Sequence, residues 1–273
     1  MIIYEILKVI LLGIIEGITE WLPVSSTGHL IILDELLSLK VSEEFLSMFR
    51  VVIQLGAIAA VPVLFWEKLF PFSKHPTEKK VTIRLWVKVI VGSIPAALLG
   101  IIFDDLFDRY LYNYFVVALA LIVYGIVFIF LEKIRAEKKN TINSINDLTY
   151  ADALKIGLFQ SLSLIPGTSR SGSSILGGML IGASRETSAE FSFFMAIPIM
   201  LGASLLKIGK YFVSGFTLSG DEAILLLIGM VVSFVVSLAV IRFLMDYVKS
   251  HDFKIFGYYR IILGLIVLLT FLF

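Results

Sequence analysis

The sequence predicts an all-α polytopic membrane protein, with six transmembrane helices and two re-entrant helical hairpins set out as an inverted-topology repeat. Three observations predict it. Of 273 residues, 58% are hydrophobic and 16% charged, whereas a soluble domain is about half apolar and a quarter charged. The apolar stretches are too many and too long for core helices, since a helix that spans a bilayer needs about 20 apolar residues. Four of these stretches are short or broken, and they fall into two pairs, each pair split by a cluster of Pro, Gly and Ser.

In chain order, the apolar stretches run at about 2–22, 24–37, 45–66, 85–103, 114–131, 153–165, 173–183, 188–209, 223–245 and 258–273. The first pair is interrupted by LPVSSTGH and the second, 153–183, by IPGTSRSG. Proline removes a helix donor and glycine lowers helix propensity, so each cluster breaks its helix. The two breaks resemble one another. Gly13, Glu16, Pro23 and Ser26 match Gly157, Gln160, Pro166 and Ser169, with a one-residue gap between the glutamate and the proline. FRVVIQLGAIAAV and EFSFFMAIPIMLG, which follow them, also correspond. The chain therefore reads as one membrane domain, 1–273, with repeat 1 over about 1–131, a polar linker at 132–150 and repeat 2 over 151–273. Paired short, Gly/Pro-interrupted segments in two halves point to a site at mid-membrane.

Charge sets the orientation. Segments 67–84, 132–155 and 246–260 carry thirteen Lys and Arg, against five in 34–50, 104–113 and 207–222. The first group is cytoplasmic by the positive-inside rule. That holds only if 2–37 and 153–183 each enter and leave on one side, the first from outside and the second from inside. Both termini then lie outside. The N-terminus has no small-residue cleavage site after its first apolar run, so it is not read as a signal peptide. A net charge of +1 gives no bias towards nucleic acid, and the absence of cysteine excludes disulfide and thiolate chemistry.

The chemistry lies in the breaks. Glu16 and Glu20 are four apart and share a helix face. A charge at mid-membrane costs roughly 2.5–3.5 kcal/mol, and two on one face cost more unless a cation or proton lies between them. Solvation at the outer boundary is the plainer explanation of the pair, but it leaves the polar residues that follow unexplained. Ser25, Ser26 and Thr27 offer hydroxyls, and Gly28 lets an oxyanion approach the backbone. A half-helix starting there presents free N–H groups to an anion. The same cluster suits plain N-capping, and the two readings are compatible. His29 is the one histidine outside the polar loops, His75 and His251 being within them. It is open to three roles: nucleophile, general acid or base, and structural hydrogen-bonder.

The second break places Arg170 between Ser169 and Ser171, beside Gly167 and Gly172. Arginine is always charged and presents a planar fork to phosphate or carboxylate. Among apolar segments it needs a partner, either a phosphate or simply Glu16 or Glu20. Together these groups make a site for a phosphorylated ligand, with donors for phosphate oxygens, a nucleophile and proton-handling groups. The glutamates with oxygen donors suit a hard cation such as Mg or Ca, although Arg170 supplies a charge that can stand in for a metal's. No organic cofactor is indicated.

EGITEWLPVSSTGH with PGTSRSG resembles the undecaprenyl-diphosphate phosphatase family, the bacitracin-resistance proteins. FRVVIQLGAIAAV, GGMLIGASR and AEFSFFMAIP extend the resemblance over essentially the whole chain. The resemblance implies removal of the terminal phosphate of undecaprenyl diphosphate, which recycles the lipid carrier of peptidoglycan synthesis and confers resistance to bacitracin. It implies that Glu16 and Glu20 are the paired catalytic acids, with or without a divalent cation between them. It implies that Ser26 and His29 are nucleophile candidates, or nucleophile and base, and that Thr27, Ser169 and Arg170 hold the phosphates. The expected setting is a bacterial plasma membrane, with the site opening to the outer side. The expected partners are the bilayer, a polyprenyl diphosphate and, as the oligomer considered, a second copy in a homodimer. The rival function is a polyprenyl-phosphate transporter or flippase, because inverted repeats with broken helices also build transporters. Phosphate release by the purified protein separates the two.

Overall fold

A computed structural model describes residues 2–70, 76–135 and 139–272. The loop residues Lys74, His75 and Lys138 fall outside these. The described residues form twelve α-helices. The first hairpin is α1 (Ile2–Thr19) and α2 (Ser26–Leu37). Then come α3 (Glu43–Val52), α4 (Gln54–Leu64), the single turn α5 (Trp66–Leu69), α6 (Pro76–Leu111) and α7 (Tyr114–Arg135). The second hairpin is α8 (Tyr150–Ser161) and α9 (Arg170–Leu180), followed by α10 (Arg185–Val213), α11 (Gly220–Ser250) and α12 (Lys254–Leu272).

Six segments are long and apolar enough to cross a membrane: Glu43–Leu64, which joins α3 to α4, then Thr77–Phe103, Tyr114–Arg135, Arg185–Val213, Gly220–Ser250 and Lys254–Phe271. The protein is a multi-pass all-α membrane protein. Helix starts follow local rules. Ser42 caps α3, and Ser184 caps α10. Thr149 with Asp152 opens α8, and Ser219 with Glu222 opens α11, each as a reciprocal capping box. Such a pair satisfies two of the donors that a helix start leaves free.

The connections sort onto two ends of the bundle. At one end Lys68 pairs with Glu190, Trp86 donates to the Leu69 carbonyl, and Lys88 donates to the carbonyls of Ile145 and Asn146. There too Glu132, 1% exposed, receives Arg185 and the backbone N–H of Phe253. At the opposite end Glu5 receives the N–H of Lys40, Lys8 reaches the Ser38 carbonyl, and Tyr211 reaches the Thr217 carbonyl.

Glycines allow the helices to come close where the hairpins dock. α1 lies on α11, and a Cβ on Gly13 would stand 2.9 Å from the Gly229 carbonyl oxygen. α8 lies on α6, and a Cβ on Gly157 would stand 2.0 Å from the Gly92 carbonyl oxygen. α7 and α12 meet through Gly125 and Gly257, each of which would strike the other's carbonyl oxygen. Small residues let backbones approach where lipid gives no hydrophobic drive for association. The buried core is aromatic around the first break, with Trp21 edge-on to Phe193 and Phe65 edge-on to Phe194.

Candidate functional site

Each hairpin turns at a residue in the left-handed region. Ser25 has φ 72° and Ser169 φ 74°. Ser25 Oγ accepts from the Gly28 N–H, and Ser169 Oγ from the Gly172 N–H. Ser25 and Ser169 are therefore the corresponding residues, at the same separation as Gly13 and Gly157. This corrects the match of Ser26 to Ser169, and the one-residue gap disappears. The position equivalent to Ser26 is Arg170. The gap arose from aligning Pro23 with Pro166, which occupy different places in the two turns. In the second break Gly167, at φ 89°, lies where Pro23 lies in the first, and a Cβ there would stand 2.5 Å from the Val117 carbonyl oxygen.

The two turns meet. Glu20 lies just beyond α1, but its N–H still donates to the Glu16 carbonyl at 3.0 Å, so the helical face continues and the two carboxylates share it. Arg170, the first residue of α9, donates from both Nε and Nη2 to Glu20 Oε1, at 3.0 Å each. Its Nη1 is held by the Ser192 carbonyl at 2.8 Å and by Ser192 Oγ at 3.2 Å. Its guanidinium also lies over the Trp21 ring. Ser26 Oγ, at the start of α2, donates to Glu20 Oε2 at 3.3 Å. One carboxylate thus takes an arginine from the second hairpin and a serine from the first. Ser171 Oγ pairs with Ser169 Oγ and donates to the Leu22 carbonyl, a further tie between the breaks.

The other candidates are placed less directly. Glu16 is fully buried beside Glu20, and among the described residues neither of its carboxylate oxygens accepts a hydrogen bond. Thr27 is half-buried in the first turn of α2. Gly28 packs against Leu121, and Gly172 lies under the guanidinium of Arg260. His29 makes no hydrogen bond to Ser26 or to either glutamate. Its Nδ1 lies 2.8 Å from the Ser25 carbonyl oxygen and its Nε2 2.7 Å from Tyr259 Oη.

Arg260 is a correction. Counted in the sequence among the loop cations of 246–260, it lies fully buried on α12 and reaches both breaks. Nη1 donates to the Pro23 carbonyl at 3.2 Å, and Nη2 donates to the carbonyls of Gly167 and Thr168 at 2.9 Å each. Buried turns leave such carbonyls without water, and an arginine can bond several at once. The signal was present: an arginine inside the apolar stretch 258–273. Ser192 and Tyr259 carried no comparable mark, because a lone hydroxyl in a membrane helix is common.

The donor set accommodates a hard cation in one way. Among the described residues no group of three or more acidic or histidine side chains converges. Glu16 offers two unengaged oxygens. Magnesium characteristically takes one or two carboxylates and completes its shell with substrate phosphates and water. The residues fit that mode, with Glu16 as the ligand.

The model of the family described as bacitracin resistance protein BacA matches residues 9–266. A protein named undecaprenyl-diphosphatase from Acetivibrio thermocellus is 57% identical over 270 residues, covering 98% of both chains. One of the same name from Enterococcus faecalis is 55% identical, over 97% of this chain and 96% of its own. An undecaprenyl-diphosphatase 1 of Clostridioides difficile is 56% identical, over 98% and 96%. Similarity at this level runs from the first hairpin to the last helix, through both breaks, and the chain belongs to the bacitracin resistance protein BacA family.

Proposed function

We propose that this chain is an undecaprenyl-diphosphate phosphatase in which Ser26 attacks the terminal phosphorus and Glu20 takes its proton. The observation that carries the assignment is the contact of Ser26 Oγ with Glu20 Oε2 at 3.3 Å while Arg170 holds Oε1 of the same carboxylate. The arginine fixes the base, leaves the oxygen facing the serine to receive the proton, and places positive charge where phosphate oxygens gather.

In the first step the Ser26 Oγ–P bond forms and the bond from phosphorus to the bridging oxygen breaks. The electron pair leaves on the lipid monophosphate, and the serine proton passes to Glu20. In the second step water attacks the phosphoserine, His29 takes a proton from that water, Glu20 returns its proton to Ser26 Oγ as the Oγ–P bond breaks, and His29 then gives its proton up to the departing phosphate. The sum is diphosphate plus water to lipid monophosphate plus phosphate. The hydroxyls of Ser25, Thr27, Ser169 and Ser171 lie at the start of each half-helix, where anions are favoured, while the Gly28 and Gly172 amides there donate to the capping serines and would have to exchange them for a phosphate oxygen. A divalent cation, where bound, would be held by Glu16 and supplies positive charge for phosphate oxygens.

The setting belongs to the same reading. α1–α2 and α8–α9 are re-entrant hairpins of an inverted repeat, entering from the outer and the cytoplasmic side of a bacterial plasma membrane, and the site opens outward. Supporting this, the packing partners exchange between halves: α1 on α11 corresponds to α8 on α6, and the α7–α12 contact through Gly125 and Gly257 maps onto itself. Removing Arg260 from the loop count leaves the charge asymmetry in place.

The test is phosphate release from undecaprenyl diphosphate by the purified protein, with parallel acid and alkaline quenches to trap label on the enzyme, since phosphoserine survives the first and phosphohistidine the second. The expected label is on Ser26, absent in Ser26→Ala. Label on His29, or none in an enzyme caught at partial turnover, overturns the serine.

A further inference from the structure

We propose that Tyr259 is a positioning residue for His29, one that fixes the imidazole as the tautomer protonated at Nδ1 and keeps Nε2 as the basic nitrogen. A carbonyl oxygen can only accept, so the 2.8 Å contact of Nδ1 with the Ser25 carbonyl places the ring proton on Nδ1. Nε2 is then an acceptor, and the 2.7 Å contact places the Tyr259 hydroxyl hydrogen on it. The bond made at Nδ1 sets Nε2 as the nitrogen that carries the lone pair. The rings are also stacked, with centroids 5.6 Å apart and planes at 14°, so the phenol restrains the tilt of the imidazole as well as its proton.

The anchors come from two separate elements. Ser25 holds the ring from its own turn, in the left-handed conformation that aims the carbonyl along α2. Tyr259 holds it from α12, next to Arg260, which grips the carbonyls of both breaks. The helix that ties the hairpin tips together thereby also sets the histidine. At rest the Tyr259 hydrogen occupies the one lone pair of Nε2, so the water proton enters as that hydroxyl turns away, and the hydroxyl then accepts from Nε2–H. One side chain therefore serves both states of the ring, and no regrouping of the helices is needed. Tyr259 bonds neither glutamate nor Ser26, so it acts through His29.

The proposal rests on the reading that His29 serves the second step, and the experiment separates them. Tyr259→Phe keeps the stacked ring and removes only the hydroxyl. Turnover of undecaprenyl diphosphate would be measured for Tyr259→Phe, His29→Gln and the double variant, and the tautomer read by 15N NMR on protein labelled at its three histidines. The expected results are a kcat lowered about 10-fold or more in Tyr259→Phe with KM little changed, since a general base contributes roughly 10²–10⁴-fold. The double variant should be no slower than His29→Gln alone, and the His29 resonances should move from a pure Nδ1–H pattern to a mixture of tautomers. Full turnover in His29→Gln overturns the role of the histidine and the proposal with it. A slow His29→Gln beside an unchanged Tyr259→Phe, an additive double variant, or an unaltered tautomer overturns the positioning role alone.

Discussion

Arg170 and Glu20, 150 positions apart in the chain, are joined by two hydrogen bonds of 3.0 Å that converge on a single carboxylate oxygen. Both side chains are under 10% exposed, so the pair is desolvated as well as close. The other carboxylate oxygen is thereby left to Ser26. The three residues form one unit built from both hairpins.

Breaking that unit from either side has different consequences. Arg170→Ala leaves a buried carboxylate without its partner, which destabilises by about 3–5 kcal/mol. Glu20→Gln keeps the size and accepts from the arginine, but it cannot take the serine proton. We expect Glu20→Gln to retain the folded protein and lose about 10²–10⁴-fold in turnover, the range for a general base. Arg170→Lys should lose activity too, because a point charge cannot hold Oε1, the Ser192 carbonyl and Ser192 Oγ in one plane. Phosphate release together with thermal melting in detergent checks both. Glu20→Gln with near-normal turnover removes Glu20 as the base.

The turn serines give a second prediction. A non-glycine residue in the left-handed region carries strain of about 1–2 kcal/mol, and Ser25 and Ser169 both sit there. Ser169→Gly relieves that strain but loses the cap on Gly172, so its stability should change by less than about 1 kcal/mol. Ser169→Val adds a branched Cβ at the same φ and should lower the melting temperature clearly. Equal melting of the two variants would mean that the turn does not hold this conformation.

Much of this site was legible in the sequence for a physical reason: polar groups in an apolar chain have nowhere to hide. Glu16, Glu20, Ser26, His29 and Arg170 stood out because membrane burial makes each of them expensive. The six spans followed from length, and the two breaks from Pro and Gly. The choice of Glu20 over Glu16 for Arg170 was not legible, because it depends on how far each hairpin reaches. His29 was grouped with Ser26 by the family resemblance, yet its Nε2 bond runs to Tyr259 of α12, a helix whose approach no local pattern encodes. Arg260 was misplaced because it lies two turns into α12, close enough in sequence to Lys249 and Lys254, at the facing ends of α11 and α12, to be counted with them.

Arg260 yields the third prediction. Its three hydrogen bonds to backbone carbonyls cross-link the turns, and none of them goes to a carboxylate. Arg260→Met preserves much of the volume but leaves the Pro23, Gly167 and Thr168 carbonyls without this donor. Each buried group left unpaired costs about 1–3 kcal/mol. The expected outcome is a lowered melting temperature together with a large loss of turnover. Glu20→Gln, by contrast, should lose turnover with little change in melting. A stable, inactive Arg260→Met would shift Arg260 from clamp to direct phosphate contact.

The close helix contacts give the fourth. A Cβ on Gly56 of α4 would stand 2.0 Å from the Met230 carbonyl oxygen of α11, and one on Gly157 would stand equally close to Gly92. Both obstacles are backbone, which cannot rotate away as a side chain can. Alanine at either position must push two helices apart, and overpacking of this kind costs about 1–3 kcal/mol, occasionally more. Gly202 on α10 supplies the control, for among the described residues nothing lies within 4 Å of its would-be Cβ. Gly202→Ala should be neutral or stabilising by up to about 1 kcal/mol, since alanine is the better helix former. Gly157→Ala should also slow turnover, because α8 leads into the break that carries Arg170, whereas Gly202→Ala should leave it intact. Melting curves and phosphate release on the three variants check this, and a tolerated Gly157→Ala would mean that α8 does not dock on α6 at this distance.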